Sequence, residues 1–265
     1  MFSKVLAVFN RPPADSVAKN FPFLGSAWPV TILLLLYMLF VLNYGKKFME
    51  HRQPYEIKKI VIVYNFFQVI YNGVMFGIMF YYFFIDRVYP LDCLATLPMD
   101  DPKKNIERVI SYIYFINKII DLLDTIFFVL RKSYKQITFL HVYHHAFMVF
   151  AIYWVVRFNG FGGQFFTMAL ANTFVHIVMY FYYMISAIYT GIKRSLWWKK
   201  YITKIQIIQF VSVSLHSVYI LVFNPKCEFP VALHFLILAQ CVIFITMFSN
   251  FYMKTYVKPQ HQKQQ

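Results

Sequence analysis

Seven apolar runs take up most of this 265-residue chain, each near the ~20 residues that carry a helix across a bilayer. They fall at 28–44, 60–85, 109–130, 138–156, 164–189, 205–223 and 230–253. Bilayer-spanning strands need only about 9–11 residues and alternate apolar with polar, so these runs read as helices. Pro98, Pro102, Gly160, Gly162, Gly163, Gly191 and Pro225 fall in the breaks between them. The chain is 60% apolar and only 14% charged, against about 45–50% and 25% in a soluble domain, and what lies between the runs is too short for a second domain. The fold class expected is an all-α polytopic membrane protein: a seven-helix domain over 28–253, an N-terminal segment 1–27 and a tail 254–265. No internal repeat is visible.

The formal charge of +15 would suggest a nucleic-acid partner until it is sorted by face. Seven crossings put the N-terminus and the 86–108, 157–163 and 224–229 loops on one side, with nine Lys/Arg against seven Asp/Glu. The other side collects the 45–59, 131–137 and 190–204 loops and the C-terminus, with sixteen Lys/Arg against Glu50 and Glu56. The positive-inside rule makes that second face cytosolic and the N-terminus lumenal or extracellular. No nucleic-acid partner is expected. The basic face would set topology and attract anionic lipid, and it would also steer phosphorylated substrates inward. Trp28, Trp154, Trp197 and Trp198 sit at the expected span ends, where aromatic belts belong. Residues 1–27 lack the apolar run of about 7–15 residues of a signal peptide, so the first span is expected to do the targeting. Lys263, third from the end, reads as a chance likeness to a retrieval signal.

The same topology places Cys93 and Cys227 in lumenal loops, where an oxidising compartment permits a disulfide; a Cys93–Cys227 bridge is the expectation. Cys241 falls inside the seventh span.

Polar residues inside the spans are the informative ones. Lys or Asp at a helix centre costs about 2.5–3.5 kcal/mol on the insertion scale, so Lys118, Asp121 and Asp124 together cost about 8–10 kcal/mol unless they pair and face a polar interior. At about 100° per residue, Asn117, Lys118, Asp121, Asp124 and Thr125 fall within about 120° of one helix, and Asp121 is close enough to Lys118 to pair with it. The next span carries His141, His144 and His145 on about 100° of arc. The fifth carries Asn172 and His176, with Met179, Tyr180 and Tyr183 continuing that face. The sixth opens with Thr203, Gln206 and Gln209. At ~1.5 Å per residue, Asp121 lies about 14 Å, His144 about 9 Å and His176 about 20 Å from the cytosolic helix ends. The picture is a polar site in the cytosolic half of a bundle, with room for an apolar chain deeper in.

Imidazole clusters suggest metal first. Membrane desaturases and hydroxylases, however, have several histidine boxes around two irons, and here there is one box: His51, His216, His234 and His261 stand apart from it. No metal site is expected, and there is no GxGxxG, P-loop or nucleophile elbow. Acid–base or nucleophilic work by imidazole remains, with Lys118, Asn172 and Gln206 able to stabilise oxyanions. A di-iron oxidase, or a seven-helix transporter or receptor, would be the alternatives.

Four segments in order then resemble a known family. Lys118-Ile-Ile-Asp121-Leu-Leu-Asp124-Thr125 is similar to a KxxExxDT box, with Asp121 where Glu is usual. His141-Val-Tyr-His144-His145 matches HxxHH, Asn172 through Tyr183 matches NxxxHxxMYxYY, and Thr203-Lys-Ile-Gln206-Ile-Ile-Gln209 matches TxxQxxQ. Arg52-Gln-Pro54-Tyr55 resembles a short motif after the first helix. Together these resemble the ELO family, the elongation of very long chain fatty acids proteins. The resemblance implies a multi-pass 3-ketoacyl-CoA synthase (3-oxoacyl-CoA synthase) of the endoplasmic reticulum, with six helices around a narrow acyl tunnel. Malonyl-CoA and a long-chain acyl-CoA would be its substrates, with no tightly bound cofactor. A ketoacyl-CoA reductase, a dehydratase and an enoyl-CoA reductase of the same membrane would be partners, and homo-oligomer formation stays open. In that reading His144, with His176, takes the acyl group. His141 and His145 move protons, Asp121, Asp124 and Lys118 set their charge, and Asn172, Gln206 and Gln209 hold carbonyl oxygens.

Overall fold

The computed structural model describes residues 15–90, 92–158, 160, 164–189, 191–192 and 196–257. The stretch holding His261 and Lys263 lies outside them. Among the described residues every long element is a helix: α1 (Trp28–Met49), α2 (Lys58–Ile85), α3 (Lys104–Ile120), α4 (Leu123–Leu130), α5 (Phe139–Phe158), α6 (Gln164–Ile188), α7 (Leu196–Phe223) and α8 (Val231–Val257). Six of these, α1, α2 and α5–α8, are long and apolar enough to cross a membrane.

The third expected span, 109–130, is the departure. It is not one helix but α3 and α4, broken at Asp121–Leu122. Asp121 closes α3, its N–H donating to the Asn117 carbonyl, and the Asp124 N–H donates in turn to the Asp121 carbonyl. Two aspartates three residues apart favour such local turns over helix interior. α3 has 17 residues, four of them charged, and α4 only eight, so neither joins the apolar set. Two other expected boundaries also move. α7 begins at Leu196, not at 205, so Thr203 and the basic residues Lys199, Lys200 and Lys204 are helical. Lysine is a good helix former whose stem can lie on apolar surface. α8 runs to Val257, four residues past the expected end.

The helices wear their apolar side outward. On α7, Ile208, Val211, Leu215, Val218 and Val222 are all exposed at helical spacing, and α2 does the same with Ile60, Val63, Ile70 and Val74. Contiguous apolar faces of this size belong against lipid.

The chain divides into two compact units. The first contains α1, α3, α4 and α5. There α5 packs on α1 and α3, and α1 reaches α4 at its far end. A short π-helical stretch at Phe40–Tyr44 leads into Gly45, whose missing side chain permits the approach. A Cβ there would lie 2.7 Å from Val129 Cγ1. At the opposite end, Arg108 Nε donates to Asp15 Oδ2 at 2.8 Å and Lys104 Nζ to Glu107 Oε1 at 2.7 Å. Gly160 packs directly on Glu107 with φ +69, a conformation that glycine adopts without strain. Burial pushes the Asp15 carboxyl up, but hydrogen bonds from Arg108 and from the Ala18 and Val17 N–H groups outweigh it, leaving the group below its usual range. A depressed carboxyl stabilises the fold at pH above its unfolded value, and the contribution is lost as pH falls through the folded one. Acidification should therefore lower the Tm of the wild type more than that of Asp15→Asn, measured across pH 7 to 3.

The second unit holds α2, α6, α7 and α8, with α7 packed between α6 and α8. Aromatic contacts tie α2 to α6 in antiparallel register: Tyr64 to Tyr180, Phe76 to Phe174 and Phe83 to Phe166. The loops after α2 and α7 are joined by a Cys93–Cys227 disulfide across 134 residues, and Asn224 Nδ2 donates to the Asp92 carbonyl beside it. Removing a native disulfide costs about 2–5 kcal/mol. The Cys93→Ser/Cys227→Ser variant should unfold at a clearly lower temperature, and reductant should lower the wild type toward it; an unchanged Tm would mean the loops are held without the bond.

Candidate functional site

In the first unit the polar stripe expected on 117–125 is present despite the helix break. Asn117, Lys118, Asp121, Asp124 and Thr125 are all buried. Lys118 Nζ donates to Asp121 Oδ2 at 2.8 Å, both side chains almost wholly enclosed, and the ammonium lies 4.9 Å from the Tyr114 ring centre. The substitution of Asp for the longer Glu thus leaves the carboxylate within reach of Lys118. An ion pair in this setting is held by geometry, because neither partner retains water to fall back on.

The histidines stand on the first two turns of α5. Thr138 opens that helix, its hydroxyl accepting the His141 N–H at 3.2 Å, as an N-capping residue should. His141 Nε2 is hydrogen-bonded to Thr125 Oγ1 at 2.9 Å, and Thr125 Oγ1 to the Tyr37 hydroxyl at 2.7 Å. One imidazole is therefore tied through α4 to α1. Its ring centre is 4.3 Å from that of His145, and His145 is 5.5 Å from His144. His144 lies within electrostatic range of Lys118, Asp121 and His141. This unit thus presents three neighbouring imidazoles beside a buried ammonium and carboxylates. Such a set can supply a nucleophile, a proton carrier and a positive charge for an oxyanion.

In the second unit, α6 carries Asn172 and His176, both buried, with Met179 and Tyr180 following them into the interior. The His176 ring is 5.5 Å from Tyr180, which meets Tyr64 edge-on and lies 6.0 Å from Tyr183. Gln206 Nε2 approaches Met179 Sδ at 3.8 Å, a weak acceptor. Gln209 is buried, and the Thr203 hydroxyl donates back to the Lys199 carbonyl. Among the described residues no group of three His, Cys, Asp or Glu is arranged to hold a metal ion.

Two features escaped the sequence reading. Tyr37 looks like one more aromatic in an apolar run, and only its bond to Thr125 singles it out. The other is a polar stripe on α2: Asn65, Gln68 and Asn72 are buried at i, i+3, i+7. Gln68 Nε2 donates to the Tyr64 hydroxyl and Asn72 Nδ2 to the Gln68 carbonyl. The α2–α6 register brings Asn72 level with His176. That spacing of amides in an otherwise apolar helix was the available signal.

Six apolar spans, together with the polar groups buried within each unit, define a multi-pass membrane protein. The chain belongs to the ELO family: the family model described as GNS1/SUR4 matches residues 22–264. It is 42% identical over 247 residues to very long chain fatty acid elongase F of Drosophila melanogaster, covering 93% of this chain and 95% of that protein. It is 39% identical over 253 residues to very long chain fatty acid elongase 7 of Rattus norvegicus, covering 93% and 87%. With very long chain fatty acid elongase 4 of Homo sapiens the identity is 37% over 254 residues, covering 94% and 78%.

Proposed function

We propose that this protein elongates fatty acids as the condensing enzyme, joining malonyl-CoA to a long-chain acyl-CoA in the membrane of the endoplasmic reticulum. The observation that carries the reading is the His141–His144–His145 group beside the buried Lys118–Asp121 pair, in a chain similar throughout to proteins named as elongases. The seventh membrane crossing, by α3 and α4, and the acyl tunnel belong to the same proposal. So do the lumenal N-terminus and the cytosolic tail.

The imidazole of His144, with His176 as a second candidate, attacks the thioester carbonyl. The C–S bond breaks, and CoA leaves as the thiol with the ring proton. Malonyl-CoA then loses CO₂, the electron pair of the broken C–C bond passing to an enolate. The enolate carbon attacks the acyl carbon, the C–N bond breaks, and the freed imidazole is reprotonated. One proton is consumed overall. His141 and His145 move protons, Lys118 and the amides of Asn172, Gln206 and Gln209 stabilise carbonyl oxygens, and Asp121 and Asp124 set the local charge. Met179, Tyr180, Tyr183 and Thr203 shape the acyl site. The product is a 3-oxoacyl-CoA two carbons longer. A version without the covalent step uses the histidine only as a base.

The test is release of labelled CO₂ from carboxyl-labelled malonyl-CoA by detergent-purified protein with a panel of acyl-CoAs. Release of labelled CO₂ that depends on acyl-CoA, with an unlabelled 3-oxoacyl-CoA product two carbons longer found by mass, supports condensation. A monodisperse sample with no release from any acyl-CoA overturns it.

A further inference from the structure

The first unit carries a cavity that the polar stripes do not use. It is a groove of about 610 Å³ between α1 and α5. Ala27, Leu34 and Leu42 line it from one side and Phe139, Ala146 and Trp154 from the other. Leu42 and Phe139 are exposed at its rim, so the groove opens on the lipid-facing flank. Arg157 at the end of α5 donates to the Leu24 carbonyl just before α1, which makes the two helices antiparallel and runs the groove along their whole contact. From Ala27 to Leu42 it extends about 22 Å at ~1.5 Å per residue, longer than the ~15 Å of one leaflet's hydrocarbon.

Its two ends differ in charge. One helical turn beyond Leu42 come Lys46 and Lys47, both exposed, and two residues before Ile137, which lines the groove, comes exposed Lys135. Arg131 and Lys132 stand half-buried just behind, with Lys132 donating to the Glu50 carbonyl. Glu50 and Glu56 are the carboxylates in the adjoining segment. At the other end the Arg157 guanidinium is engaged by the Leu24 carbonyl and the Tyr153 hydroxyl. An apolar channel of acyl-chain length with exposed ammonium groups at one mouth is complementary to an amphiphile with an anionic head.

We propose that the α1–α5 groove is a binding site for an anionic phospholipid, with one acyl tail along the groove and the phosphate held by Lys46 and Lys135. The tail contributes attraction without selectivity. The head group supplies the preference, since a zwitterionic lipid of the same chains offers the lysines no net charge. The site is separate from the histidine chemistry and does not depend on the proposed reaction.

The test is native mass spectrometry of the full chain in mild detergent, titrated with phosphatidylserine or phosphatidylcholine of identical acyl chains. Phosphatidylserine is expected to bind at least tenfold more tightly. Lys46→Glu with Lys135→Glu should abolish that preference while leaving weak binding of both lipids. Leu34→Trp, which fills the groove, should remove the high-affinity phosphatidylserine species; far-ultraviolet circular dichroism checks that each variant is folded. Equal binding of the two lipids by wild type would overturn the proposal. So would a preference unchanged in both variants, displacement by soluble glycerol phosphate alone, or a second copy of the chain in place of lipid.

Discussion

Asp121→Asn is expected to destabilise the protein by about 3–5 kcal/mol, the cost of removing one partner of a buried ion pair. Lys118 and Asp121 are each about 2% exposed and 2.8 Å apart. Without the carboxylate the ammonium has no water to turn to. It can remain charged at that cost or deprotonate at a comparable one. For a chain of this size the Tm in detergent should fall by roughly 10 °C. Asp121→Glu keeps the charge on a stem one methylene longer and should recover most of the loss. The double variant Lys118→Met/Asp121→Leu should restore stability without restoring turnover, because buried pairs replaced by packed apolar groups are often neutral or better. If the single variant melts with the wild type, the pair does not hold the unit together. If the double variant turns over normally, the pair is structural alone.

His144→Ala is expected to lower acyl-CoA-dependent CO₂ release by about 10²–10⁴-fold if the imidazole acts as a base, and below detection if it is the nucleophile. The packing of its helix is carried by Val142, Met148, Val149 and Ile152, so the Tm should move little. The readout that separates the two roles is a peptide carrying an acyl group on His144 after brief incubation with acyl-CoA alone. Wild-type rates in the variant would remove His144 from the mechanism and direct attention to His176.

Much of the candidate site was legible because the membrane makes polar residues costly. In water, a lysine and two aspartates over seven residues would pass as a solvated face. In a run otherwise apolar enough for hydrocarbon they need partners, and 100° arithmetic is enough to put Lys118, Asp121, Asp124 and the histidines on defined faces. The same reasoning, applied with equal strictness to α2, would have found Asn65, Gln68 and Asn72. Tyr37 could not have been found that way. A tyrosine costs little in an apolar helix, and its role comes from a hydroxyl 88 residues away in sequence.

The residue pattern alone makes this chain helical and membrane-embedded, marks the polar flanks at 117–125, 141–145, 172–183 and 203–209, and orders the four boxes. These follow from periodicity and from transfer free energy, both of which are local. The folded structure added that the 104–130 segment breaks at Asp121, that the expected Lys118–Asp121 pair survives the break, and that His141 is tied through Thr125 to Tyr37. It also decided that α1 and α5 leave an apolar groove between them. The Tyr37–Thr125–His141 chain and the groove depend on how side chains from separate helices fill a shared space. Packing and hydrogen-bond satisfaction are properties of that space, not of any one segment's pattern.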